Sequence, residues 1–267
     1  MSFNLRYENE KDGVNAWMNR RGAVSDLIGE YAPDVLGTQE GLDGMLSWMC
    51  EQLPMYERYG SGREADGGGE HTAIFVNRER FEVGDTGQFW ISPEPEVPGS
   101  KAWDTIFPRI CTWCRLRERN TGGEVVCFNA HLDNRKADAR RAGARIVPER
   151  MARITLDGSR GKRLPAVLCG DFNAHPDSEE VMAFCTDGTA ASDERVVLRG
   201  CDDIAQGTFH GFTGRRSNAP IDYILTTPGI AVRRKAVDDR QRDGIWPSDH
   251  FPVIADLEVP VAGAEHA

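Results

Sequence analysis

The sequence lacks the features that would carry it into a membrane or fasten it along a long polyanion. No apolar run approaches the ~20 residues that a membrane-crossing helix needs. Met1 leads directly into the strand-like segment from Ser2 to Tyr7, so no signal peptide is read. No long linker, low-complexity tract or repeat of fixed period interrupts the 267 residues. Positive charge is scarce: 32 Lys and Arg stand against 42 Asp and Glu, a net charge of −10. That balance argues against sequence-independent grip on nucleic acid, which relies on cations neutralising phosphates. It leaves a local basic site open, and a metal-binding carboxylate cluster would itself add negative charge. Cys111-Thr-Trp-Cys114 has no second CxxC to complete a zinc site. On a strand its two thiols point to opposite faces, so packing is the expected role rather than redox chemistry. The seven cysteines are read as reduced thiols, since Cys111, Cys127 and Cys169 sit in apolar strand-like contexts where free cysteine behaves as a small hydrophobe. A reducing, cytoplasmic setting follows as an expectation.

What remains is an ordinary globular composition, 40% hydrophobic and 28% charged. One domain over residues 1–260 is expected, with a disordered tail at 261–267. Strands are read at 2–6, 35–39, 72–76, 81–89, 109–117, 124–130, 166–170, 221–225, 230–237 and 253–257. A helix over 16–31 carries an apolar stripe of Trp17, Val24, Leu27, Ile28 and Tyr31, with Asn15 as its N-cap. A second, over 137–156, holds Pro148, which is expected to kink or divide it. The Arg/Lys-rich segment from Arg135 to Arg153 reads as a solvated face. Weaker helices are expected at 43–53 and 178–186. The Gly/Pro-rich stretches 60–69 and 92–99 read as surface loops near a cleft. Trp17, Trp90, Trp103 and Trp246 read mostly as packing residues.

Polar residues collect where strands end. "CGDFNAHPDS" at 169–178 follows an apolar strand with Asp171, Asn173 and His175 at alternate positions, on one face if extended. Asn4 sits in the first strand, Glu40 ends the second, and His131 ends another. Asp222 lies between Ile221 and Ile224, where an unpaired carboxylate would bear a heavy desolvation cost, and His250 is available to pair with it. Such oxygen-rich donors select Mg²⁺ or Mn²⁺ over Zn²⁺. An Asp-oriented His beside them describes metal-assisted hydrolysis of a phosphate ester.

The motifs "SFNLR" at 2–6, "TQE" at 38–40, "NAHLDN" at 129–134, "GDFNAHPDS" at 170–178, "IDYIL" at 221–225 and "SDHFPV" at 248–253 occur in order. On them the sequence resembles the endonuclease/exonuclease/phosphatase superfamily, the family of pancreatic deoxyribonuclease. "PRICTWCRL" at 108–116 and "TFHGFTG" at 208–214 look like an uncharacterised bacterial branch. The resemblance implies an α/β fold, a four-layer α/β/β/α sandwich of two mixed sheets with helices outside. It implies Glu40 as principal metal ligand, with Asn4 and Asp249 near the ion. Asp171 and Asn173 would position or activate the attacking water. His250, oriented by Asp222, would act as general base or stabilise phosphoryl charge. His131 would hydrogen-bond the scissile phosphate or aid the leaving oxygen, Glu70 would pair with His131, and Arg109 would face the phosphate. His175 is expected to be a turn residue. The expected activity is hydrolysis of a phosphodiester ahead of a phosphomonoester, on a small or single-stranded substrate. A nuclease and a non-catalytic binding module of the same fold stand as alternatives. The expected partner is the phosphate-ester substrate; no membrane or obligate protein partner is evident.

Overall fold

The computed structural model describes residues 1–158, 161–186 and 195–260. The expected tail at 261–267 lies outside the described residues. The chain opens with a βαβ unit: β1 (Ser2–Asn4), a 3-10 helix (Glu10–Asn15), α1 (Trp17–Tyr31) and β2 (Val35–Gln39). Then come α2 (Asp43–Gln52), β3 (Tyr56–Tyr59), β4 (Ile74–Asn77), β5 (Phe81–Trp90) and β6 (Ile110–Glu118). A second βαβ unit follows: β7 (Glu124–His131), α3 (Ala137–Ile154), the short pair β8 (Leu156–Asp157) and β9 (Lys162–Arg163), and β10 (Ala166–Asp171). The described chain closes with α4 (Glu179–Cys185), β11 (Asp222–Thr226), β12 (Ala231–Val237) and β13 (Val253–Glu258).

One sheet has strand order β12-β13-β1-β2-β4-β3 and the other β11-β10-β7-β6-β5. Each is mixed, with one parallel pair, β1–β2 and β7–β10. Parallel neighbours need a crossover, and α1 and α3 supply it on the outer faces. Phe3, Leu5 and Leu36 pack under Val24, Leu27 and Ile28 of α1 and Met45 and Met49 of α2. Phe128, Leu168 and Tyr223 pack under Val147 and Met151 of α3 and Phe184 of α4. Ile74, Val76, Cys114, Leu116 and Cys127 fill the layer between the sheets, as do Cys169, Ile224 and Val253. Each such side chain contributes roughly 1.5–3 kcal/mol on leaving water. The result is the expected α/β/β/α sandwich. Cys111 belongs to the outer layer and Cys114 to the inner one, on opposite faces of β6.

The sheets meet closely beside the strand ends that carry the polar residues. A Cβ on Gly37 would lie 2.4 Å from Cys169 Sγ, so only glycine fits there. Beside it Asn129 staples one sheet to the other. Its amide donates to the carbonyls of Thr38 (2.8 Å) and Ala73 (2.9 Å), and its Oδ1 accepts from Gln39 (2.7 Å).

Four expectations are corrected. Cys185 and Cys201 form a disulfide, so the cysteines are not all reduced, and the cytoplasmic expectation loses its support from cysteine. Pro148 does not divide α3, which continues as one helix to Ile154; the residue is buried, and its carbonyl accepts from Val196 N. Asn15 belongs to the 3-10 turn, and Ala16 precedes α1 without a side-chain cap. Edge strand β3 and the β8–β9 pair were not anticipated. Among the described residues no helix is long and apolar enough to cross a membrane.

Candidate active site

Register assembles the site. In the second sheet Asp171 lies opposite both His131 and Asp222, so three strand ends align. In the first sheet Asn4 lies opposite Gln39, which places Glu40 one residue beyond β2. Glu40 (φ +62°) and Asn173 (φ +51°) both adopt the left-handed conformation. That conformation is uncommon for such residues and is often held by surrounding structure at functional sites. Gly170 is obligatory, because a Cβ there would lie 1.9 Å from the Ala130 carbonyl oxygen.

Asn4 ties the two sheets together, donating to Glu40 Oε1 (3.1 Å) and Asp171 Oδ2 (2.9 Å). Tyr7 N donates to Glu40 Oε2 at 3.1 Å. Asp249 lies 3.9 Å from Arg6 Nε. His250 Nδ1 sits 2.9 Å from Asp222 Oδ2, and its Nε2 faces Asp171 Oδ2 at 3.9 Å. His131 Nε2 approaches the same oxygen at 3.6 Å and accepts from Asn173 Nδ2 at 3.1 Å. That bond leaves the His131 proton on Nδ1. Asn173 N donates to Asp171 Oδ1 at 2.9 Å. His175 is exposed, and its carbonyl accepts from Ser178 in a turn.

Burial and charge then separate the groups. Burial disfavours an imidazolium at His250, but Asp222, Asp171 and Asp249 override it and raise its pKa well above the usual value. Burial lowers His131 well below it, helped by Arg109 and Arg63. Asp171 is pushed up to about 7 by burial and by the charge of Asp222, against the pull of His250. Burial and Glu40 raise Asp249.

Glu70 is placed otherwise than expected, and Arg109 keeps its expected wall with side-chain partners of its own. Glu70 forms a two-pronged pair with Arg63 (2.8 and 3.0 Å) instead of meeting His131. Arg109 lines the same cavity as His131, but its Nε and Nη2 are engaged by Asp133 (3.2 Å) and Asn134 (3.1 Å). The loop 60–69 does reach the cleft: Arg63, Glu64 and Gly69 line the cavity beside Glu40 and His131, and bonds from Arg63 N to Glu70 O and from Glu64 N to Gly68 O close the loop on itself. The 92–99 loop packs behind it, where Gly99 abuts Ala65.

Several contributors were not anticipated. Arg20 is fully buried and donates to the carbonyls of Leu5 (2.5 Å), Arg6 (2.6 Å), Pro247 (2.8 Å) and Asn15 (2.9 Å). It therefore joins the exit of β1 to the loop before Asp249. Its signal was a charge inside the apolar stripe of α1. Ser248 Oγ donates to Asn4 O at 2.7 Å. Thr208 Oγ1 accepts from Asp222 N at 3.2 Å, and His210 N donates to Asp249 O at 2.9 Å, which explains the "TFHG" segment as a brace.

The donor set fits a divalent cation. Glu40, His131 and Asp171 each bring one donor atom within 4.8 Å of the others, as do Asp171, Asp222 and His250. Asp222 Oδ1 is buried without a partner. Burial first, and then the neighbouring carboxylates Asp222 and Glu40, raise Asp171 and Asp249, and a bound cation would relieve both effects.

Residues 1–250 match the Endonuclease/Exonuclease/phosphatase family. The chain belongs to the endonuclease/exonuclease/phosphatase family. Within that family, it is similar to a mannosyl-6-phosphatase of Bacteroides thetaiotaomicron VPI-5482: 34% identity, TM-score 0.86, covering 96% of this chain and 98% of that one. A family protein from Bacteroides vulgatus shows 30% identity and TM-score 0.86, covering 97% of each chain. An uncharacterised protein of Acanthamoeba polyphaga mimivirus is 29% identical over 170 residues, and the match spans 60% of each.

Proposed function

We propose that residues 1–260 act as one catalytic domain, a divalent-cation-dependent phosphoesterase that hydrolyses a small phosphate ester by in-line attack of water. The observation that carries this reading is Asp171 set between two imidazoles, at 3.6 and 3.9 Å, beside the Glu40–Asn4 pair. Mg²⁺ or Mn²⁺ would be held by Glu40 with Asn4, Asp171 and Asp249 adjacent, and would polarise a phosphoryl oxygen. Asp171 and Asn173 position the attacking water, and the Asp171 carboxylate accepts its proton. His250, kept cationic by Asp222, stabilises charge on the phosphoryl oxygens, which favours the electrostatic role over that of base. Neutral His131, whose Nε2 accepts from Asn173, would donate to the phosphate from Nδ1, and Arg109 adds positive charge along the same wall.

The similarity to a mannosyl-6-phosphatase supports a monoester of a small molecule ahead of a diester. A screen of phosphomonoesters and phosphodiesters with Mg²⁺ and Mn²⁺ tests this. Glu40→Ala and His250→Ala should each lower kcat about 10²–10³-fold; wild-type rates in both variants would sink the assignment. A nuclease is the second reading, favoured by Arg135 and Lys136 beside Arg109 on the cavity wall. Steep loss of activity on DNA or RNA with added salt would support it.

A further inference from the structure

A cavity of about 450 Å³ opens beside Glu40 and His131, within the range of small-molecule sites. At its mouth Ile106 and Phe107 are 50% and 46% exposed, large apolar side chains left bare. The Arg63 guanidinium lies 4.3 Å from the centre of the Phe107 ring. Arg63 is only 6% exposed, yet its Nε has no hydrogen-bond partner. The Glu64 carboxylate is 3.8 Å away, too far to bond it. A buried donor without a partner is costly, and the residue that carries it lines the cavity. The other two nitrogens of Arg63 are locked on Glu70, giving a fixed planar strip of donors and acceptors beneath an aromatic ring.

The Arg63–Glu70 strip itself does not suit a second anion, because Glu70 already opposes Arg63; Arg135 and Lys136 on the same cavity wall are left to the phosphate. An apolar chain would bury these charges without satisfying them. Hydroxyl groups donate and accept at once, so they match a strip that offers both. A saturated ring bearing hydroxyls also presents an apolar C–H face to an exposed aromatic.

We propose that this cavity is the leaving-group subsite and takes an uncharged, polyhydroxylated ring of hexose type, with Phe107 as its platform and the Arg63–Glu70 pair reading its hydroxyls. The inference rests on the phosphoesterase reading above and deepens it. Phe107 is the informative residue to change, because its exposure makes a folding defect avoidable; Arg63→Lys is the companion variant, with circular dichroism on both.

The experiment compares kcat/KM for hexose 6-phosphates, glycerol phosphate, mononucleotides and methyl phosphate, which does not reach into the cavity. Wild-type protein should prefer a hexose phosphate. In Phe107→Ala the ratio of kcat/KM for that hexose phosphate to that for methyl phosphate should fall about tenfold or more, chiefly through KM. Hydrolysis of all four classes without preference, or an unchanged ratio in folded Phe107→Ala, overturns the subsite while leaving the phosphoesterase reading standing. If wild-type protein hydrolyses none of them, that reading falls instead. Free hexose titrated into wild type and Phe107→Ala, followed by NMR, then decides the subsite: shifts lost in the variant support it, and no shifts in wild type overturn it.

Discussion

His250 and His131 are the same residue type, each 6% exposed, each facing the same Asp171 oxygen, at 3.9 and 3.6 Å. One is held charged and the other neutral. Asp171 is common to both, so the difference comes from the outer partner. His250 has the Asp222 carboxylate on Nδ1, whereas His131 accepts an amide proton from Asn173 and feels Arg109 and Arg63. The sheet ends thus build one cationic and one neutral imidazole around a single carboxylate. Groups pushed apart in this way are what acid–base and electrostatic catalysis require.

The most severe way to break the contrast is Asp222→Asn. The amide keeps the shape but removes the charge that does most to hold His250 protonated, leaving only Asp171 and Asp249 to favour the imidazolium, so the two imidazoles draw closer in charge. The expected loss in kcat is about 10²–10⁴-fold, with KM little changed. Steady-state kinetics checks it, and NMR of the His250 ring should show the lowered pKa. A variant with normal kcat would show that the His250 charge is idle.

Arg20 separates what the sequence made legible from what it did not. The strand ends were legible because a buried strand closing in Asp, Asn or His has few structural reasons to do so, and six motifs agreed in order. The helices that cover the two parallel pairs followed from apolar periodicity, whereas which strands pair did not, because periodicity assigns a strand but not its neighbour. Arg20 left only a faint mark, a charge inside the apolar stripe of α1; a basic residue on a helix otherwise reads as solvated, and only the fold shows four carbonyls converging on it. Arg63 and Glu70 lie in a Gly-rich loop without periodicity, so nothing local announced that a turn would pair them. The Cys185–Cys201 bond, 16 residues apart, likewise depends on tertiary approach. Arg20→Lys should therefore act on the His250 flank and leave the His131 flank alone. Lysine has three donors on a compact head and cannot reproduce the guanidinium fork, so the 247–250 loop should loosen against Asn4. We expect kcat to fall about tenfold, with the apparent affinity for Mg²⁺ or Mn²⁺ weakened and the His131 resonance unmoved. Equal displacement of both histidines would make Arg20 a general core residue.

The smallest effect tests the contrast through stability, in protein stripped of divalent metal. His250 has its folded pKa above the unfolded value of 6.5, so its contribution is complete below 6.5 and is lost as pH rises through the folded pKa. His131 has its folded pKa below 6.5. Between the two values the unfolded chain takes a proton that the folded one refuses, so its contribution is lost as pH falls from 6.5 through the folded pKa. One such proton changes the unfolding free energy by at most about 1.4 kcal/mol per pH unit. Urea unfolding from pH 5 to 9 should therefore show His250→Gln losing less stability than wild type on the alkaline side. His131→Gln should lose less than wild type on the acid side. The two slopes move in opposite directions only if the imidazoles differ in charge. Parallel pH profiles in the two variants would mean that both histidines titrate alike and that Asp222 does not distinguish them.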